Sequence, residues 1–330
     1  MMAEAIALSS QIAITIKNNY TQLENWTKRG YFLETIIILS VPICIWGLVG
    51  NGIVFWLLCF RIKRTGVSIY VLNLAIADLT VDIYYIIAFI LFLTPLYIDL
   101  KFSRIMENIY LLGYNSGIYL LTAIAAERCL SLFFPVWYEC HQLNKLSGTV
   151  CAILWALSCL VSVVGYIACY PRFLSSYNAG ISSCKAATIF EIIVNFLIFL
   201  SIMITSALAL FIRMQRKAKQ TAPTRLDITI TVMVVLFLIF SSPIRIVDII
   251  AYWDQTLDAP IPHLLSLLFD SIKSSINPLV YFFIGCWKRP KDTEPIDKFL
   301  ERVLSDKEHM AKNTNKPKAD QKVSWASEMN

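Results

Sequence analysis

The sequence predicts an all-α membrane protein: a seven-transmembrane helix bundle with its N-terminus extracellular and a short amphipathic helix after the seventh span. Three observations carry this reading. Of 330 residues, 57% are hydrophobic and only 16% charged, and the mean hydropathy is +0.61, too apolar for a soluble domain of ordinary make-up. The apolar residues gather into seven long runs, near 35–60, 68–93, 104–134, 147–169, 187–212, 227–252 and 263–284, and about 20 residues suffice to cross a bilayer as a helix. Basic residues cluster at Arg61, Lys63 and Arg64, at Arg213, Arg216, Lys217, Lys219 and Arg225, and at Lys288, Arg289 and Lys291. In a seven-span chain all three clusters fall on one side, which the positive-inside rule makes cytoplasmic.

That topology divides the chain into an extracellular segment (1–33), the bundle (34–285) and a cytoplasmic tail (286–330) with a short membrane-surface helix and a disordered, polar end. The net charge of +6 follows from the cytoplasmic clusters and calls for lipid, with no nucleic-acid partner. Two acceptor sequons, Asn19-Tyr-Thr21 and Asn25-Trp-Thr27, precede the first span and agree with an outside N-terminus. The first residues lack a basic n-region and a clear cleavage site, so the first span is expected to act as the targeting signal for a multi-pass plasma-membrane protein. With three scattered histidines, His141, His263 and His309, there is little material for a metal or catalytic site, and no cofactor is expected.

Polar residues within the spans are expensive in hydrocarbon and must face a partner or a water-filled cavity. The first span holds Gly50-Asn51-Gly52, and the second runs from Leu72 to Leu79 through Asn73 and Asp78. The third carries Tyr110 and Tyr114, four apart and so on one face, and ends in Glu127-Arg128-Cys129. Trp155 lies in the fourth and Glu191 in the fifth. In the sixth, Arg245 and Asp248 sit just outside Pro243, and Trp253 closes the span. The seventh holds Asp270, Lys273 and Asn277-Pro278-x-x-Tyr281.

These motifs, in this order and each in its span, resemble the rhodopsin-like G-protein-coupled receptors. Glu127 to Tyr138, Cys151 to Trp155, Pro223 to Leu226 and Ser274 to Phe283 narrow the resemblance to the Mas-related family, over about Gly47 to Asp306. It implies a receptor, not an enzyme: a small peptide or small molecule, leaning cationic, is bound outside and a heterotrimeric G protein is activated inside. Arg128 would leave its acidic neighbour Glu127 in the active state, pack near Tyr281 and meet the C-terminal helix of the G-protein α subunit. The resemblance also implies a disulfide between Cys169 and Cys184. An ion pair at a membrane boundary makes a workable two-state latch.

Two departures from the wider rhodopsin-like pattern matter. Ser241, two residues before Pro243, stands where most such receptors have a tryptophan, and Ser103 lies about where the third-span cysteine is expected. Some Mas-related receptors place acids near the outer ends of the fourth and fifth spans, where this chain has Gly165 and Thr188. Tyr110, Tyr114, Glu191, Arg245, Asp248 and Trp253 are therefore the candidate ligand residues, with Glu191 or Asp248 as the acid for a basic ligand.

Lys273 raises a separate question. The Schiff-base lysine of opsins lies seven residues before the proline, at Ser271 here, whereas Lys273 is five before Pro278; two residues turn a side chain by about 200°, which argues against retinal. In rhodopsin-like receptors the second-span aspartate, here Asp78, holds sodium with help from an asparagine at the Lys273 position and a serine at the Gly117 position. Lys273 therefore has Asp78, Asp270 one turn away, or Asp82 as candidate partners, with the ammonium standing in for sodium. A transporter would more often show inverted repeats, and no repeat is present.

Overall fold

The computed structural model describes residues 35–36, 38–93, 100–134, 136, 138, 143–169, 179–217, 224–253, 260–286 and 296–304. Among these, every regular element is a helix. In chain order they are α1 (Ile38–Phe60), α2 (Gly66–Leu93), α3 (Leu100–Phe133), α4 (Leu143–Cys169), α5 (179–217), α6 (Arg225–Trp253), α7 (Pro260–Cys286) and α8 (Ile296–Leu304). Six of them are long and apolar enough to cross a membrane; α7, which carries Asp270 and Lys273, completes the seven. The segments 1–34 and 305–330, with Asn19, Asn25 and the polar tail, lie outside the described residues.

The molecule is apolar on its outside and sets polar residues among the apolar side chains of its interior. Trp46, Trp56, Ile153, Leu197, Leu208, Ile239 and Phe283 are exposed, on the outward faces where lipid would replace water. Asn51, Asp78, Asp82, Asn115, Asn195, Asp270, Lys273, Ser274 and Asn277 are buried. With no hydrophobic drive between helices in lipid, close packing and interhelical hydrogen bonds must hold them.

Helix α3 is the centre. Of its most apolar 18-residue window 72% is buried, against 28% for α4, and it packs on α2, α4, α5 and α6. Tyr119, Leu120, Leu121 and Ala125 form its buried core. Helix α7 packs on α2, α6 and α8, and Ser275 donates to the Ile43 carbonyl of α1 at 2.8 Å. Gly50 lets α1 approach α7 there, since a Cβ on it would lie 2.8 Å from Cβ of Pro278. Trp155 Nε1 donates to Asn73 Oδ1 at 3.1 Å, tying α4 to α2, and Ser158 reaches the Leu112 carbonyl of α3 at 2.8 Å.

The fifth span departs from regular α-helical winding. Between the α-helical Ala179–Ile192 and Ser201–Lys217, the turns Ile193–Leu200 are π-helical. This stretch faces α3 with Asn195, which accepts from Tyr119 Oη at 2.7 Å and donates to Asn115 Oδ1 at 3.0 Å. The Tyr119 ring stacks on Phe199 at 3.9 Å. The three contacts lie along the widened turns, a winding that the apolar run IVNFLIFL with its single Asn does not announce.

Helix α8 is amphipathic: Leu300, Val303 and Leu304 are buried while Lys298 and Glu301 are exposed. It packs on α7 and α6, and Asp297 pairs with Arg61, between α1 and α2, at 3.4 Å.

Candidate functional site

The polar interior is built in layers, and the middle one is closed by Lys273. Its Nζ donates to Oδ1 of Asp78 at 2.9 Å, and the two side chains are 5% and 1% exposed. Asn277 Nδ2 fills the other carboxylate oxygen at 2.6 Å. A buried carboxylate must be paired or protonated, and here an ammonium and an amide meet both oxygens. Asp270, the local alternative three residues away, is engaged elsewhere.

Room for the ammonium comes from α3. A Cβ built on Gly117 would lie 2.9 Å from Lys273 Nζ, closer than real carbon contacts allow, so any side chain at 117 displaces the lysine or itself. One turn along α2, Asp82 accepts the Ser274 hydroxyl and the Asn51 amide at 3.3 Å. The same Asn51 amide reaches the Ser274 carbonyl at 3.0 Å. Four helices, α1, α2, α3 and α7, thus converge on one hydrogen-bonded polar centre.

A second layer surrounds Asp270. Tyr110 Oη donates to its Oδ2 at 2.5 Å and Ser241 Oγ to its Oδ1 at 2.8 Å. Tyr114 Oη lies 3.3 Å from Ser241 Oγ. A serine hydroxyl has one proton, and Ser241 spends it on Asp270, so Tyr114 is the donor in that contact. The chain of bonds runs Tyr114 to Ser241 to Asp270, which also takes Tyr110, joining α3, α6 and α7. Tyr110 stacks on Tyr84 of α2 at 4.9 Å.

Toward the other end of α3, Arg128 is buried and Glu127 half-buried. Tyr138 Oη donates to Glu127 Oε1 at 2.7 Å, and Arg213 of α5 lies over the Phe133 ring at 5.0 Å. Tyr281 is buried on α7, one turn beyond Asn277.

Of the candidate ligand residues, Tyr110 and Tyr114 are brought together with Asp270, and Glu191 lies half-buried just before the π-helical turns. Arg245, Asp248 and Trp253 fall on α6, their side chains outside those described. Cys184 is disulfide-bonded, and the side chain of Cys169, the last residue of α4, is outside those described. Sequence reasoning missed Ser274, Asn115, Tyr119 and Asn195, although a lone Asn in an apolar run such as IVNFLIFL was available as a signal.

The family comparison is decisive on class. The family model for the 7 transmembrane receptor (rhodopsin family) matches residues 50–281. The chain is 36% identical to the Proto-oncogene Mas of Homo sapiens over 280 residues, 82% of each chain. It is 34% identical to the Mas-related G-protein coupled receptor member H of Rattus norvegicus over 303 residues, 91% of this chain and 93% of that one. Against the Mas-related G-protein coupled receptor member X1 of Homo sapiens it is 35% identical over 280 residues, 82% and 84% of the two.

The chain belongs to the Mas-related branch of the rhodopsin family. It is a G-protein-coupled receptor, a multi-pass protein of the plasma membrane and not an enzyme. In this Mas-related receptor the α7 motif Asn277-Pro278-x-x-Tyr281 is joined through Asn277 to the Asp78–Lys273 pair, which puts the polar centre and the motif in one network.

Proposed function

We propose that the receptor binds a small peptide or small molecule, leaning cationic, at the extracellular end of the bundle and activates a heterotrimeric G protein at the cytoplasmic end through Glu127, Arg128, Asn277, Pro278 and Tyr281. The N-terminus is outside, with Asn19 and Asn25 available for glycosylation and Cys169 bridged to Cys184. Tyr110, Tyr114, Glu191, Arg245, Asp248 and Trp253 form the ligand side.

The observation that supports this reading is a pair of buried polar layers stacked along α7. One joins Tyr110, Tyr114 and Ser241 to Asp270, and the next joins Lys273 and Asp78 to Asn277, four residues before Tyr281. A second feature supports a sodium-free interior: the ammonium of Lys273 already holds Asp78, so the cation that rhodopsin-like receptors take from solution is supplied by the chain.

The experiment is a panel of basic peptides and amines applied to cells carrying G-protein-activation reporters, with wild type beside Arg128→Ala at matched surface expression. The reading expects a response in wild type that falls to background in the variant. Normal signalling by Arg128→Ala at the surface would sink the coupling role.

A further inference from the structure

Three helices meet at a single carboxylate, and one of those helices has a weak point beside the meeting. Asp270 of α7 is fully buried and takes a hydroxyl on each oxygen, Ser241 of α6 on Oδ1 and Tyr110 of α3 on Oδ2. Ser241 is also fully buried. Two residues further along α6 comes Pro243, which has no N–H to give to the carbonyl one turn back and so leaves the helix a natural bending point. Ser241 lies on the side of Pro243 leading back to Arg225, the segment at the Arg128 end of the bundle.

We propose that the Ser241–Asp270 hydrogen bond is the latch that holds this hinged segment of α6 against α7 in the resting receptor, and that an agonist opens it by bringing its own donor or cationic group to Asp270. The proposal rests on the receptor reading above and adds the residues through which ligand chemistry reaches α6. The proton order fixes how the latch is read. Ser241 gives its proton to Asp270 and receives one from Tyr114, so a ligand that draws away the Tyr114 or Tyr110 hydroxyl perturbs the same carboxylate. A ligand cation at Asp270 is a stronger donor than a hydroxyl, and by drawing the carboxylate toward itself it lengthens the Ser241 contact. With no tryptophan at position 241, the α6 side of this contact is a hydroxyl, and a hydrogen bond is what there is to break.

The test uses the full-length receptor in nanodiscs with fluorophores on non-natural residues at Arg64 and Thr224, which precede α2 and α6, together with basal G-protein activation in cells. Variants are Ser241→Ala, Asp270→Ala, the double, and Ser158→Ala as a buried hydroxyl removed elsewhere. The latch predicts that Ser241→Ala and Asp270→Ala each lengthen the label distance without ligand and raise basal activation up to about tenfold, which corresponds to about 1.4 kcal/mol. The double variant should go no further than either single one, and Ser158→Ala should match wild type.

Unchanged distances in Ser241→Ala and Asp270→Ala, or effects that add in the double, overturn the latch. If Asp270→Ala fails to fold, Ser241→Ala and Tyr110→Phe decide on the same two readouts. A lengthened distance with no G-protein activation under any condition would leave the latch standing and defeat the coupling reading. Agonist-driven activation with unmoved distances would do the reverse.

Discussion

Lys273 is an ammonium deep in a membrane bundle, and such a charge persists only with a partner in contact. Its partner, Asp78, sits at 2.9 Å with both residues buried. Removing one member of a buried pair strands the other, typically at a cost of 3–5 kcal/mol, roughly. Lys273→Met should therefore lower the melting temperature of the detergent-solubilised receptor sharply, and Asp78→Asn in the same background should recover much of the loss. Gly117 is the second half of the device: Gly117→Ala places a carbon 2.9 Å from the ammonium and should destabilise wild type by about 1–3 kcal/mol. The same change should be nearly silent in Lys273→Asn, whose side chain is shorter. At this scale the sequence allowed an exclusion, because counting from Pro278 separates Lys273 from a Schiff-base position. It could not choose among Asp78, Asp82 and Asp270, since that choice depends on the distance between α2 and α7 and on a gap at Gly117, neither of which is written in one helix.

At the scale of elements, the spans were legible because a bilayer demands long apolar runs, and each run lies within or beside the helix that contains it. Winding was not legible: the period of an apolar run with a single Asn does not distinguish 3.6 residues per turn from the wider π turns of Ile193–Leu200. Asn195 shows what the wider turns serve, with Tyr119 and Asn115 bound to its side chain. Asn195→Leu leaves two buried polar groups on α3 unmet, so thermal melting should report a loss of about 1–3 kcal/mol; adding Asn115→Leu should cost less than its own single effect. The ends of α4 and α5 give another element-scale prediction. Cys184 is disulfide-bonded, and if Cys169 is its partner, Cys169→Ala and Cys184→Ala lower surface expression equally, with the double no worse than either. An additive loss in flow cytometry of surface-labelled cells would exclude that pairing.

At the scale of the molecule, polar residues set inside apolar spans explain why class was readable and ligand was not. An apolar exterior, basic connections and motif residues inside the spans identify a rhodopsin-family receptor, and residues 50–281 match that family. The ligand side depends on where side chains such as Glu191, Asp248 and Trp253 converge, which spacing along separate helices does not fix. What distinguishes this bundle is that its polar centre is compensated from within: α7 supplies the cation, α2 the carboxylate and α3 the space. A ligand or ion stabilises a fold only where it binds the folded state, so sodium has no work to do at an Asp78 already paired. The direct measurement is the melting temperature of purified receptor in sodium chloride against choline chloride at equal ionic strength, for wild type and Lys273→Asn. The account predicts identical curves for wild type and a sodium-dependent rise for Lys273→Asn; a wild type stabilised by sodium would contradict it.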